Sequence, residues 1–140
     1  MPRIYTDPAA IVDDIIRESG PRLMVGLPLG LGKANHIVNA LYRRAVADSG
    51  LDLTFFSALT LEKPRPSNEL ERRFMAPVID RLFGEWPDLD YASALHKGEL
   101  PPNIKVIEFF FLAGKWLRNT YAQQHYIAAN YTHAASYILD

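Results

Sequence analysis

The sequence predicts an α/β domain with a mainly parallel sheet flanked by helices, and three observations carry that expectation. Short runs rich in branched and aromatic residues, RLMVG, LDLTFFSALTL and IKVIEFFF, alternate along the chain with segments whose apolar residues recur at helical spacing. Glycines, prolines and helix-capping residues stand at the joints. At 140 residues with 49% hydrophobic composition, the chain has the size of one domain, residues 1–140, and enough apolar surface for a real core.

The elements follow in order. In TDPAAIVDDIIRESG, Asp7 can cap a helix and Pro8 suits its first position, where an amide would be unpaired anyway. Ile11, Val12, Ile15 and Ile16 give that helix an apolar face and Gly20 ends it. RLMVG is a short buried strand. After a glycine loop, Ile37, Val38, Leu41 and Ala45 form one face of a second helix that stops by Gly50. LDLTFFSALTL is the next strand, and EKPRPSN is a loop because its two prolines lack amide donors. Asn68 with Glu71 matches a capping box. The helix behind it carries Leu70, Phe74, Val78 and Leu82 on one side, so RFMAPVIDRLF is expected to turn one face to the core. Pro77 should bend or restart it, and Gly84 closes it. DLDYASALHKGEL reads as a short helix capped near Gly98, and IKVIEFFF as the third strand. In the tail, HYIAAN is read as a fourth strand and THAASYILD as a helix running to the end of the chain. An α/β pattern would ordinarily supply another strand after that helix, so a truncated domain is expected.

Composition excludes several classes. The formal net charge of −1 gives no electrostatic case for nucleic acid or an anionic membrane as partner. There are no cysteines, which rules out disulfides and thiolate chemistry and fits a reducing cytoplasm. MPRIYTDPAA has no basic region leading into an apolar run, so no signal peptide is expected, and VIEFFFLAG is too short to span a bilayer. The expectation is a soluble cytoplasmic protein.

The stretch LMVGLPLGLGKANHIVNALYRR raises the question of an anion site. It fails both nucleotide fingerprints: a P-loop would need glycine where Leu27 stands and a hydroxyl where Ala34 stands, and the dinucleotide pattern meets Asn35 instead of a third glycine. A glycine turn feeding a helix start still presents free amides and the positive end of a helix dipole, worth roughly 0.3–1 kcal/mol toward an exposed anion. Lys33 would add a mobile positive charge. The alternative is that the glycines only let strand and helix pack closely, and the sequence weighs the two equally. Four histidines (His36, His96, His125, His133) show no metal-ligand spacing, so no metal is assigned. No G-x-S-x-G elbow is present. Glu108, inside an apolar strand, is a candidate shifted carboxylate, although such a residue more often sits at a strand end or pairs with a lysine. KWLRNTYAQQHYIAANYTH, dense in Gln, Asn, Tyr and His, reads either as a polar cleft wall or as a solvated loop with packed tyrosines.

GLPLGLGKANHIVNALYRRA, LTFFSALTLEKPRPSNELERRF and AQQHYIAANYTHAASYIL together resemble the N-terminal region of the acetyl-CoA hydrolase/transferase family, its longer bacterial members most closely, from about Arg22 to Leu139. The resemblance implies a CoA-transferase-like N-terminal half of a larger α/β enzyme. Such an enzyme moves CoA between acyl groups and carboxylates, or to water, through a glutamyl-CoA intermediate, with acyl-CoA as substrate and no bound cofactor. The family's nucleophilic glutamate lies in the second half, beyond this chain, so no catalytic residue is carried over. The loop at Gly26, Pro28, Gly30, Gly32 and Lys33 matches the family's glycine loop, which borders the cleft between the two halves. Asn130, Tyr131, Thr132 and His133 match a second segment facing the same cleft. The resemblance thus implies that the loop's anion is a substrate carboxylate or its oxyanion. The implied partners are acyl-CoA, a small carboxylate and the missing half, whether covalent or a second subunit. A non-catalytic interaction module of the same fold is the competing expectation, since an exposed sheet edge also permits a homo-oligomer.

Overall fold

The computed structural model describes residues 3–139. Three parallel strands, β1 (Arg22–Gly26), β2 (Asp52–Ser57) and β3 (Ile104–Glu108), lie in sequential order. Leu23 registers with Leu53, and Leu53 with Ile104. Period-two alternation puts Leu23, Leu53, Phe55, Ile104 and Val106 on one face. Against it pack α1 (Pro8–Ser19), α2 (Asn35–Ala47) and α4 (Asp90–Lys97), contributing Val12, Val38, Leu41, Tyr91 and Leu95 to the main core. Phe55 and Tyr91 stack with ring centres 5.0 Å apart. The other face is covered around the end of β2 by a smaller cluster of Phe56, Ala58 and Phe109 with Ile107, Ile127, Ala129 and Ala134.

Local chemistry explains the ends of the helices. Asp7 accepts a hydrogen bond from the Ala9 amide at 3.0 Å, with Pro8 opening α1. Gly98 closes α4 at φ +71°, a conformation that disfavours residues with a Cβ. Asn35 and Asn39 on α2 donate to the Pro87 and Asp88 carbonyls, each at 2.7 Å, and so fix the entry to α4. Asn68 caps α3 (Glu69–Phe83) through the Glu71 amide at 2.9 Å, while the Glu71 carboxylate reaches back to the Ser67 amide at 2.7 Å.

Three expectations are corrected here. First, α3 turns no face to the core: none of its residues is buried, and Leu70, Phe74, Val78 and Leu82 are 80%, 80%, 51% and 70% exposed. Periodicity marks a face as apolar without saying what covers it. Second, Pro77 does not restart the helix: α3 runs from Glu69 to Phe83 with Pro77 inside it. Pro77 and Arg73 both lie on the exposed side, where water can satisfy the carbonyl that the missing amide leaves free. Third, HYIAAN forms a single parallel bridge, Glu108 with Tyr126, in place of a strand. Glu108 donates its amide to the His125 carbonyl and accepts from the Ile127 amide at 3.1 Å. Pairing ends there because Ile127 and Ala129 turn onto the Phe56–Phe109 cluster.

Ahead of that bridge the sequence reading missed a short helix, α5 (Thr120–Gln124), capped by Asn119. The polar stretch around it is a self-braced loop with packed aromatics: Tyr121 stacks on His125 at 3.9 Å and accepts from the Val106 amide, while Gln123 donates to the Trp116 and Leu117 carbonyls. The last element is α6 (Tyr131–Leu139), and the expected continuation to Asp140 lies outside the described residues. No helix among the described residues is long and apolar enough to cross a membrane.

Candidate functional site at the carboxyl end of the sheet

Three distant segments meet where the strands end. The glycine loop leaves β1 and continues its pairing by one residue, with the Leu27 amide donating to the Phe56 carbonyl at 2.8 Å. From the other side α6 approaches so closely that a Cβ on Gly26 would lie 2.9 Å from Ile138 Cδ1. Gly26 is therefore a close-approach glycine, and Gly30, at φ +62°, is a conformational one. Tyr137 of α6 stacks near Phe56 of β2 with ring centres 6.0 Å apart.

Lys33 is 4% exposed and is not the mobile charge the sequence suggested. Its ammonium donates to the carbonyls of Pro28 (2.8 Å), Gly30 (3.2 Å) and Ala58 (3.1 Å), which occupies all three protons. Burial pushes its pKa down to about 8, against the opposing pull of Glu108. The lysine folds the loop around itself and locks the loop to the end of β2.

Glu108, the last residue of β3, is the second buried charge, at 3% exposure. One carboxylate oxygen accepts from the Thr60 amide (3.1 Å) and the Thr60 hydroxyl, the other from the Trp116 indole at 3.1 Å. Because the Thr60 hydroxyl donates to Glu108, it accepts from the Tyr91 hydroxyl 3.0 Å away. Burial raises the Tyr91 pKa well above the usual tyrosine value, so this hydroxyl stays a donor. Leu59, at φ +47°, is a left-handed non-glycine residue immediately before Thr60. Its amide donates to the Phe110 carbonyl at 2.8 Å. Thr60, Tyr91, Trp116 and Leu59 were not singled out by sequence reasoning. No motif marks them, because their roles depend on where the strands end.

Of the remaining residues singled out in the sequence, Pro28 is exposed and serves through its carbonyl, while Gly32 donates its amide to the Leu29 carbonyl at 3.4 Å and closes the turn. Asn130 accepts from the Thr132 amide at 3.1 Å and from its hydroxyl, capping α6. Thr132 and His133 are exposed, and Tyr131 opens α6, its side chain lying outside the described residues. No cluster of three His, Cys, Asp or Glu side chains suited to a metal occurs among the described residues. A cavity of about 540 Å³ lies elsewhere, between α1 and α2, lined by Val12, His36, Asn39, Arg43 and Arg44 among others, with no residue from the glycine loop or α6.

The arrangement is thus a shaped wall of backbone and packed side chains, braced by two buried charges whose polar atoms are already engaged. Neither Lys33 nor Glu108 is free to attack a substrate. No protein-family model, no curated protein and no solved structure matches the chain.

Proposed function

We propose that this chain is a CoA-transferase-like domain of an acetyl-CoA hydrolase or CoA-transferase. In this reading it forms one wall of the acyl-CoA site, and a glutamate on polypeptide outside these 140 residues is the nucleophile. One observation carries the reading: the three sequence segments that resemble the family, separated along the chain, touch one another at the carboxyl end of the sheet. The contacts are Leu27 to Phe56, Lys33 to Ala58, Gly26 to Ile138 and Phe56 to Tyr137. The carboxyl ends of the strands are the side of an open α/β sheet on which ligands bind, although the order β1-β2-β3 has no reversal to mark a crevice there. The engagement of Glu108 by Thr60 and Trp116 supports the need for a nucleophile from elsewhere.

Equilibrium dialysis with labelled acetyl-CoA tests this. The expected result is saturable binding, competed by free CoA, with no thiol release by the chain alone. Absence of binding, or sustained thioester hydrolysis by the pure chain, would overturn it. A second reading, a non-catalytic interaction module, is favoured by the exposed apolar stripe of α3. It predicts self-association or partner capture without any acetyl-CoA binding.

A further inference from the structure

Outside the wall just described, α3 spans 15 residues, none of them buried. Leu70, Phe74, Val78 and Leu82 form a stripe about 18 Å long on its open side, each more than half exposed. The ends of the helix are well set, by the cap at Asn68 and the stop at Gly84. Its middle is not. Pro77 stands inside it, and a helix of this length that buries nothing is marginal in water. Covering the stripe supplies the support that the core of this chain does not give.

The charges beside the stripe select what covers it. Glu69 engages both Arg72 and Arg73, at 2.7 and 2.9 Å. Arg81 is thus the one arginine of α3 without a partner among the described residues. The Glu71 carboxylate holds the Ser67 amide and hydroxyl through one oxygen and leaves the other free. Glu71, Phe74, Val78 and Arg81 are spaced three, four and three residues apart. That is the spacing of a seam between two helices crossing at a shallow angle, roughly 20°. Read backwards, the seam complements itself. In an antiparallel pair of α3 helices, Phe74 meets Val78 of the second copy in the two central layers, and Glu71 meets its Arg81 in the two outer ones. Leu70 and Leu82 flank the seam and cover the aliphatic stems of the charged layers. A parallel pair would set Glu71 on Glu71 and Arg81 on Arg81, which is repulsive. An unrelated partner would have to supply this pattern, whereas a second copy already carries it.

We infer that α3 is the interface of a symmetric dimer, two copies of this chain docked antiparallel through Leu70, Glu71, Phe74, Val78, Arg81 and Leu82. The two-fold axis puts the same patch on both copies and closes the assembly at two. A single helix pair falls at the small end of specific interfaces, below about 1,200 Å², so the dissociation constant is on the order of 10–100 µM. The dimer gives the interaction-module reading a partner and a register without depending on it. None of the contacts that build the wall at the carboxyl end of the sheet involves α3. Failure of acetyl-CoA binding and failure of dimerisation are therefore separate results.

The test is sedimentation velocity of the whole chain from about 1 to about 500 µM, a range that brackets that constant, with ¹H–¹⁵N NMR spectra across the same range. The chain is expected to be monomeric at the low end and dimeric at the high end. The amide signals of 70–82 should move with concentration and those of β1–β3 should not. Arg81→Glu sets like charges in both outer layers and is expected to weaken the dimer at least about tenfold, with the melting temperature at low concentration unchanged. Arg81→Lys is expected to preserve it. A monomer at every concentration overturns the inference and leaves the stripe to further polypeptide of the same protein. Growth past the dimer, or shifts along the free edge of β1 in place of α3, overturns it in favour of edge pairing. So does self-association of Arg81→Glu as tight as that of the native chain, which would reduce the contact to unspecific apolar adhesion.

Discussion

Replacing Lys33 by methionine keeps a flexible unbranched stem and removes the ammonium that three carbonyls share. The Gly30 and Ala58 carbonyls are bonded in buried geometry, at 3.2 and 3.1 Å, while the Pro28 carbonyl is partly accessible and can be rewetted. Leaving a buried acceptor without a donor costs about 1–3 kcal/mol each, so two such carbonyls predict a gross loss of about 4 kcal/mol. The wild-type lysine, however, is held charged in a place that disfavours charge, as its pKa of about 8 against an ordinary 10.5 records. Relief of that penalty offsets part of the loss and leaves a net destabilisation of about 2–3 kcal/mol. Urea unfolding at pH 7 is the assay. The same lysine fixes a pH signature. Between pH 8 and 10.5 the unfolded chain holds a proton here that the folded chain has released, so stability rises with pH through that window. The rise is on the order of 2 kcal/mol once solvent screening is allowed for. Measured from pH 7.5 to 9.5, below the titration of tyrosine, the rise should be present in the native chain and absent in Lys33→Met. A variant within about 0.5 kcal/mol of wild type, the scatter of ordinary surface changes, would refute the clamp, as would an identical pH slope in both proteins.

Three further predictions follow from single contacts. Gly26→Val places a branched side chain where Ile138 already stands 2.9 Å from a Cβ, so α6 should detach, read as faster amide exchange across 132–138 with β1–β3 still protected. Glu108→Gln weakens the acceptor shared by Thr60 and Trp116 and should cost about 3 kcal/mol, with a shift in Trp116 emission as its indole loses a charged partner. Phe74→Ser with Leu82→Ser on the exposed face of α3 should leave stability within about 0.5 kcal/mol while lowering hydrophobic-dye binding.

The strands and helix ends were legible because their causes are local. Asp7–Pro8, Asn68 and Gly98 act within a turn of themselves, and RLMVG is β1 residue for residue. The parallel sheet followed from alternation of elements. What was not legible depends on placement in space. Leu70, Phe74, Val78 and Leu82 recur as a core face would, yet nothing among the described residues covers them. Ile127 and Ala129 look like strand residues, yet they pack on Phe56 and Phe109 and end the pairing at Tyr126. At the candidate site, the glycines were visible but Lys33 was misread. A lysine after a glycine turn points equally to a ligand or to the loop's own carbonyls, and only the position of Ala58 decides between them. Thr60, Tyr91 and Trp116 have no signature short of the end of β3, where Glu108 gathers two of them.

The central claim is that this wall serves CoA transfer through a glutamate carried elsewhere. The most direct test isolates the protein from its natural source, exposes it to acetyl-CoA, and maps any CoA adduct on a carboxylate by peptide mass spectrometry. The account predicts an adduct on a glutamate in polypeptide outside these 140 residues, with Glu62 and Glu108 unmodified. An adduct on either of those two residues, or none on any glutamate, would contradict it.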